Sequence, residues 1–433
     1  MDIAFSEKVL PSSNIVQTIN SQMPHLIKQL QIDGSIETKE KFIVNKEPSD
    51  LRSKSPITFI IHETPGYFLD LKSFYLELEI VLTNINFVRG GINDANAYFI
   101  NNIGQSMWSA VKVFLNDVSV QSSFHSSQIS NLIQILTTSN IAVNNFGILQ
   151  GAFETTDTSV PNGITAGHLA SEGIVKRILY SKTNPIRLRV PLNLDISSAD
   201  KLMVDGVNMK LVLHPASATY VINSEIAYEY QIKDIKLGMT KIKPTDAALI
   251  TCNKYLMGKE IEYLIRRTPV HDEIMGAGIS EYTISRPFNG WVPNQIVLWM
   301  VEQKAVNGDY KLAPFRLNHY DLLQYSIRVN GNEVAGSMVD KSFISVYHDS
   351  YKSLDSDYFV PFKNYVNGSF VIVANCTHQS DENSINIDRR GNLSIILKFR
   401  ENLPENVKVF VMGTIDSTIS IDNDRVVTTN YQF

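Results

Sequence analysis

Short runs in which apolar and polar residues strictly alternate constrain this chain more than any other feature. A side-chain period of two suits a strand with one buried face and does not suit a helix. Phe74, Leu76, Leu78 and Ile80 alternate with Tyr75, Glu77 and Glu79; Ile186, Leu188 and Val190 alternate with Arg187 and Arg189; Val207, Met209, Leu211 and Leu213 alternate with Asn208 and Lys210. The style returns late in the chain at Val407, Val409 and Val411 and at Ile415, Ile419 and Ile421. From about residue 57, Asn, Asp, Gly and Pro punctuate these runs, as turn residues do. Helical periodicity is confined to two or three short stretches, so the expected class is all-β.

Two hairpin signals divide the chain. Val113, Phe114, Leu115, Asn116, Asp117, Val118 and Ile327, Arg328, Val329, Asn330, Gly331, Asn332 each read as a strand, an Asn-Asp or Asn-Gly turn and a returning strand. The turns lie 214 residues apart, close to half of the 433-residue length. The same offset carries the helical stripe Ile129, Leu132, Ile133 onto Phe343, Val346, Tyr347, and both turns follow an apolar strand, around Ile80 and around Trp299. The expectation is a duplicated layout.

Sandwiches of this kind use 100 or more residues each, so two large modules fit the length. Residues 1–55 are expected to be an N-terminal arm, with a short helix around Met23 to Leu30, either packed on the protein's own body or on a neighbouring copy, or a partly disordered terminus. Residues 56–242 form the first module, 243–255 a linker and 256–433 the second. In the linker, Pro244 starts a turn into a short helix that Thr245 or Asp246 can cap.

Composition excludes several function classes. With 39 Lys and Arg against 44 Asp and Glu the net charge is −5, the arm is balanced, and a protein built to grip nucleic-acid phosphates would be cationic. Cys252 and Cys376 are too few for a disulfide scaffold or a Cys-rich zinc site, which fits a reducing compartment. The Met1, Asp2, Ile3 start lacks the basic and apolar regions of a secretory signal, so assembly inside a cell is expected. The longest apolar runs, Ile296 to Val301 and Phe370 to Ala374, are strand-sized and too short to span a membrane.

The search for chemistry yields no catalytic, cofactor-binding or metal-ligating residue to nominate. No phosphate-cradling Gly-x-x-x-x-Gly-Lys-Ser/Thr loop occurs, and Gly276 and Gly278 lack a third glycine. The nine histidines form no ligand pair at His-x-x-x-His or His-x-His spacing. His271 beside Asp272 and Glu273, and His348 beside Asp349, read as solvated loop residues, since adjacent side chains on extended backbone point opposite ways. No His and Glu cluster suggests a metal-binding barrel, and the pairs Arg266, Arg267 and Arg389, Arg390 read as rim charges. The sequons at Asn367, Asn375 and Asn392 are incidental without secretion. Trp291 with Phe288, Pro314, Phe315, His319 and Tyr320 could line a carbohydrate groove, but burial in the second module's core is the expected role.

Taken in order, several segments resemble the double jelly-roll major capsid proteins of the Polinton (Maverick) and adintovirus group, and more distantly those of virophages and the hexons of adenovirus-like viruses. Ile100, Asn101, Asn102 through Trp108, Val111, Val113, Leu115 and Asn116 resemble the family's N-N to V-x-V-x-L-N-G segment, with Trp108 for the usual aromatic and Asp117 for the glycine. Phe288, Gly290, Trp291, Pro293 and Ile296 resemble its F-x-G-x-L-P-x-R run, with Gln295 for the basic residue. Pro314, Phe315, His319, Tyr320 and then Val329, Asn330, Gly331 are similar to P-F-x-F-x-H-Y and V-N-G. The tail from Arg389 through Arg400, Ile421, Asp422, Arg425, Val426 and Tyr431 resembles the family's closing strands. The resemblance spans roughly residues 70–433.

It implies two eight-stranded jelly-roll β-sandwiches side by side with a few short helices. Three chains would form a pseudo-hexagonal capsomer that tiles an icosahedral shell around double-stranded DNA, so the expected location is the virion. Implied partners are other copies of the chain, a single jelly-roll penton protein and minor capsid proteins. No cofactor, enzymatic activity or sequence-specific nucleic-acid binding is implied, and contact with an internal membrane is left open. The alternatives are a β-sandwich protein that binds carbohydrate or processes glycosides, and a chromosomal copy of such an element retained by a host.

Overall fold

A computed structural model describes residues 36–46, 55–84, 97–138, 143, 146–153, 172–183, 185–354, 359–376 and 390–431. The expected helix at Met23 to Leu30 and Arg389 lie outside them. Among the described residues the strands are, in chain order, β1 (Ile36–Asn45), β2 (Ile57–Ile61), β3 (Phe68–Asn84), β4 (Tyr98–Phe99), β5 (Trp108–Leu115), β6 (Val118–Phe124), β7 (Ile186–Pro191), β8 (Met209–Pro215), β9 (Ile222–Asn223), β10 (Tyr228–Pro244), β11 (Ile261–Arg267), β12 (Val270–Met275), β13 (Glu281–Ser285), β14 (Gln295–Glu302), β15 (Leu322–Val329), β16 (Asn332–Met338), β17 (Val371–Asn375), β18 (Leu393–Phe399), β19 (Val407–Ile421) and β20 (Val427–Thr429).

They form two sandwiches of the same design. In the first, a sheet ordered β1-β10-β3-β7 faces a sheet ordered β2-β8-β5-β6; in the second, β11-β19-β14-β17 faces β13-β18-β15-β16, with β12 and β20 also on β19. Each order pairs early strands with late ones and all these pairings are antiparallel. That is the jelly-roll arrangement. Leu76, Leu78 and Leu237 meet Phe59, Val113 and Leu211 in the first core; Ile296, Leu298 and Val409 meet Ile284, Ile327 and Ile395 in the second. The expected all-β, double jelly-roll class is what the chain adopts.

The two hairpins fall on equivalent strands, β5–β6 and β15–β16, each at a sheet edge. Both turns place two residues at positive φ, Asn116 (42°) and Asp117 (65°), Asn330 (52°) and Gly331 (85°), as a two-residue hairpin turn of matching twist requires. Register shifts follow at Val113/Phe114 and Ile327/Arg328, again 214 residues apart. Asn208 N donates to Asn116 Oδ1 at 2.8 Å and Asn116 N to the Asn208 carbonyl at 2.9 Å. Asn392 N donates to Asn330 Oδ1 at 2.8 Å and Asn330 N to the Asn392 carbonyl at 2.8 Å. The same side-chain clasp therefore ties each hairpin to the neighbouring strand.

Two expectations need correction. Residues 36–45, inside the expected arm, form β1 and pair with β10 along Lys236 to Pro244, which moves the start of the first sandwich to Ile36. Glu37, Lys39, Glu40 and Lys41 hide this strand, because an exposed edge strand needs charge more than apolar alternation. Helix Asp246–Leu256 lies where a short helix was expected, but Thr245 at its N-cap makes no side-chain capping bond.

Candidate functional site: the seam between the sandwiches

No group of three or more His, Cys, Asp or Glu able to hold a metal occurs among the described residues, and no described helix is long and apolar enough to cross a membrane. The residues that converge are those joining the sandwiches. Helix Ser126–Thr137 leaves the first hairpin and buries Ile129, Leu132 and Leu136 in the second sandwich's core. In return Ile261, Tyr263 and Ile265 of β11, Ile419 and Ile421 of β19 and Val427 of β20 complete the first core. Each core is finished by the other half.

Several polar groups buried along this seam are paired, as desolvation favours. Gln128 Nε2 donates to Tyr220 Oη and to the Pro314 carbonyl, both at 2.9 Å, while its Oε1 accepts from Trp299 Nε1 at 3.4 Å. Trp299 stacks on Phe410 at 5.2 Å and 11°, and the His125 ring meets Phe410 edge-on at 5.2 Å. His125 Nε2 lies 2.8 Å from Asp272 Oδ1, and Lys408 Nζ lies 2.7 Å from Asp272 Oδ2. Burial lowers the His125 pKa below its ordinary value against the pull of Asp272. Burial acts to raise Asp272, but Lys408 and His125 outweigh it and hold the carboxyl below its usual range.

Arg267 is the second stitch. It is 1% exposed, not a rim charge. Its Nε donates to Ser417 Oγ and its Nη2 to Thr429 Oγ1, each at 2.8 Å, and Nη1 donates to the Val120 carbonyl on the edge strand β6. Its guanidinium stands over the Tyr431 ring at 5.3 Å. Asp195 sits nearby in the first half, accepting from Thr268 Oγ1 at 3.1 Å. Burial pushes its carboxyl up to about 6, with Arg267 and Thr268 limiting the rise. A third stitch joins Arg425 to Asp205, Nη2 to Oδ1 at 2.9 Å and Nε to the carbonyl at 2.7 Å, and Asn116 Nδ2 donates to the Arg425 carbonyl at 2.9 Å.

The other residues singled out in the sequence are structural or dispersed. Trp291 is buried under Arg390, whose guanidinium lies 3.6 Å from the ring centre, and beside Tyr431. Phe288 and Leu317 are buried, His319 packs on Phe343 at 4.2 Å, and Phe315 meets Tyr220 across the seam. Of these residues Trp291, Phe288 and Leu317 are core, while Phe315, His319 and Tyr320 are half-buried. His271 pairs with Glu273 at 2.8 Å while Asp272 points the other way, to His125. His348 and Asp349 are exposed and 3.7 Å apart, and Arg266 lies 3.9 Å from Asp416. Among the sequons, Asn367 Nδ2 donates to the Lys363 carbonyl, Asn375 Oδ1 accepts from Gln295, and Asn392 Oδ1 accepts from Arg286 Nε at 3.3 Å. Sequence reasoning missed His125, Gln128 and Asp195. The signal available for the seam was the unbroken apolar run Ile296 to Val301, which marks a strand covered on both faces.

No family model matches the chain. An uncharacterized protein of Caenorhabditis elegans is 20% identical over 406 residues, covering 86% of this chain and 92% of that one. Among solved structures, one from the Sputnik virophage aligns over 99% of this chain and 93% of that chain at a TM-score of 0.63 and 10% identity. The faustovirus major capsid protein aligns over 93% and 94% at 0.59 and 8%. The mavirus major capsid protein aligns over 99% and 96% at 0.51 and 10%. The likeness extends across both sandwiches.

Proposed function

We propose that this chain is the major capsid protein of an icosahedral double-stranded DNA virus or virus-like transposon of the Polinton and adintovirus kind. Three copies form a pseudo-hexagonal capsomer and capsomers tile the shell. The observation that carries this reading is the pair of sandwiches with one strand order, locked by a buried seam. A near-sixfold tile built from three chains needs two similar, rigidly fixed modules in each. The whole-length likeness to virophage, mavirus and faustovirus capsid proteins supports the same reading.

The charge of −5 fits a tile that encloses a genome without neutralising it. The proposed partners are further copies, a single jelly-roll penton protein and minor capsid proteins, and the proposed location is the virion. Burial of Trp291 and Phe288 disfavours the carbohydrate-binding alternative. Negative-stain electron microscopy of the purified chain tests the proposal. Particles with a pseudo-hexagonal outline are expected; uniform two-lobed single chains would contradict it.

A further inference from the structure

Helix Ser126–Thr137, strands β5 to β7 of the first sandwich and β11 of the second enclose a cavity of about 230 Å³. Trp108, Val111, Leu194, Ile129 and Ile133 give it apolar walls, and its exposed lining residues Asn193 and Arg266 mark the mouth. Much of the polar wall is already committed. Trp108 Nε1 donates to the Gly104 carbonyl and Ser126 Oγ to the Ser123 carbonyl, each at 3.0 Å. Gln121 Oε1 accepts from Asp195 N and its Nε2 donates to Ser123 Oγ, each at 2.9 Å. Among the described lining residues Asp195 is the one acid.

Asp195 keeps accessible surface, yet protein surrounds its carboxyl closely enough to push it up to about 6. Both are true of a group on a cavity wall and not of one in packed core. Thr268 Oγ1 donates to it at 3.1 Å. Arg267 lowers it through space but directs Nε, Nη1 and Nη2 to Ser417, the Val120 carbonyl and Thr429. Arg266 at the mouth lies 3.9 Å from Asp416, and the nearby Tyr431 phenol is raised by burial. A carboxylate whose desolvation its neighbours do not offset gains from a further cation. We propose that this cavity binds a small organic amine, with the ammonium on Asp195 and an aliphatic or aromatic body against Trp108, Ile129 and Ile133. An apolar cavity of about 150 Å³ takes up benzene, so the space here admits one ring or a short alkyl chain. The ligand would touch the first half at Asp195 and Ile129 and the second at Arg266 and Thr268, bracing the seam.

The site does not depend on the capsomer reading, and the full chain in whatever assembly it forms serves for the test. Calorimetric titration with hexylamine, 1-hexanol and hexanoate varies the head group on one tail. At pH 7.5 hexylamine should bind at least about tenfold more tightly than the alcohol, the gain of one charge-assisted contact. Below the Asp195 pKa the amine must displace a proton, so its affinity should fall about tenfold between pH 7.5 and 5 while that of the alcohol holds. Asp195→Asn should abolish the preference for amine. Ser130→Phe, at a half-buried wall position, leaves the carboxylate in place and fills the space, so it should weaken amine and alcohol alike. Equal binding of amine and alcohol, tighter binding of hexanoate, no binding of any of the three, or amine binding unchanged in Ser130→Phe would each overturn the proposal.

Discussion

The sheet β1-β10-β3-β7 and its counterpart β11-β19-β14-β17 share an order and differ in what their outer faces meet. Across the first sheet one register row reads Lys236, Glu77, Arg189; across the second, a row reads Asp272, Phe410, Trp299, Val371. The first face is solvated and laddered with ion pairs, Arg187 to Glu79 at 2.7 Å and Arg189 to Glu77 at 3.7 Å. The second is covered by helix Ser126–Thr137 of the other half and, at its β17 edge, by helix Ile344–Leu354 through Ser350, whose Oγ accepts from Val373 N at 3.1 Å. One fold can therefore carry either a wet face or a buried one. The choice is written in whether alternate residues are charged or apolar, with the strand order unchanged.

The contrast is most easily broken at Trp299, the largest side chain on the buried face. Trp299→Ala should cost about 3–5 kcal/mol, the usual cost of emptying a buried Trp site, while Glu79→Ala on the equivalent strand should stay within about 0.5 kcal/mol, as exposed pairs do. Urea unfolding of both variants checks this, and comparable losses would mean that the first face is covered too. Next comes Gly238→Ala, because a Cβ there would run into the Tyr75 ring. Overpacking of this kind costs about 1–3 kcal/mol, read as a lowered urea midpoint.

The Asn clasps give a smaller and sharper test of equivalence. Asn330→Ala loses the clasp and places alanine at positive φ, so it should cost about 1–2 kcal/mol; Asn116→Ala loses in addition the bond to the Arg425 carbonyl and should cost about 1 kcal/mol more. An equal or smaller loss at Asn116 would mean that its bond across the seam contributes nothing. Per pH unit, the smallest effect is the pH dependence at Asp195. Its carboxyl is raised to about 6 in the folded chain against about 3.9 unfolded. The folded state binds more protons between those values, so this group's contribution falls as pH rises from about 4 to 6, by at most about 1.4 kcal/mol per pH unit. Below that window it adds nothing, and above it the full destabilisation remains. Melting temperature against pH should show a shallower decline across this window in Asp195→Asn than in the native chain. Identical profiles would contradict the assignment.

Much of the fold was legible because a strand's alternation and an Asn-Gly or Asn-Asp turn are local signals. The hairpins at Asn116 and Asn330 and the helix stripes at Ile129 and Val346 all fall where the pattern puts them. Strand β1 was not legible, since an exposed edge carries Glu and Lys where a core strand carries Val and Ile. The seam was harder still. Arg267 reads as a surface charge until Ser417, Thr429 and the Val120 carbonyl are brought around it from positions 147 to 162 residues away. His125 and Gln128 look like ordinary polar residues at a helix start. Their role depends on which face of which distant strand they meet, and no local pattern encodes that.

The mass of the purified chain in solution, measured by light scattering on a sizing column, bears most directly on whether two sandwiches per chain exist to build a six-sandwich ring. A single species near three times 48.7 kDa is the expected result. A stable species of 48.7 kDa that does not associate as concentration rises would contradict it.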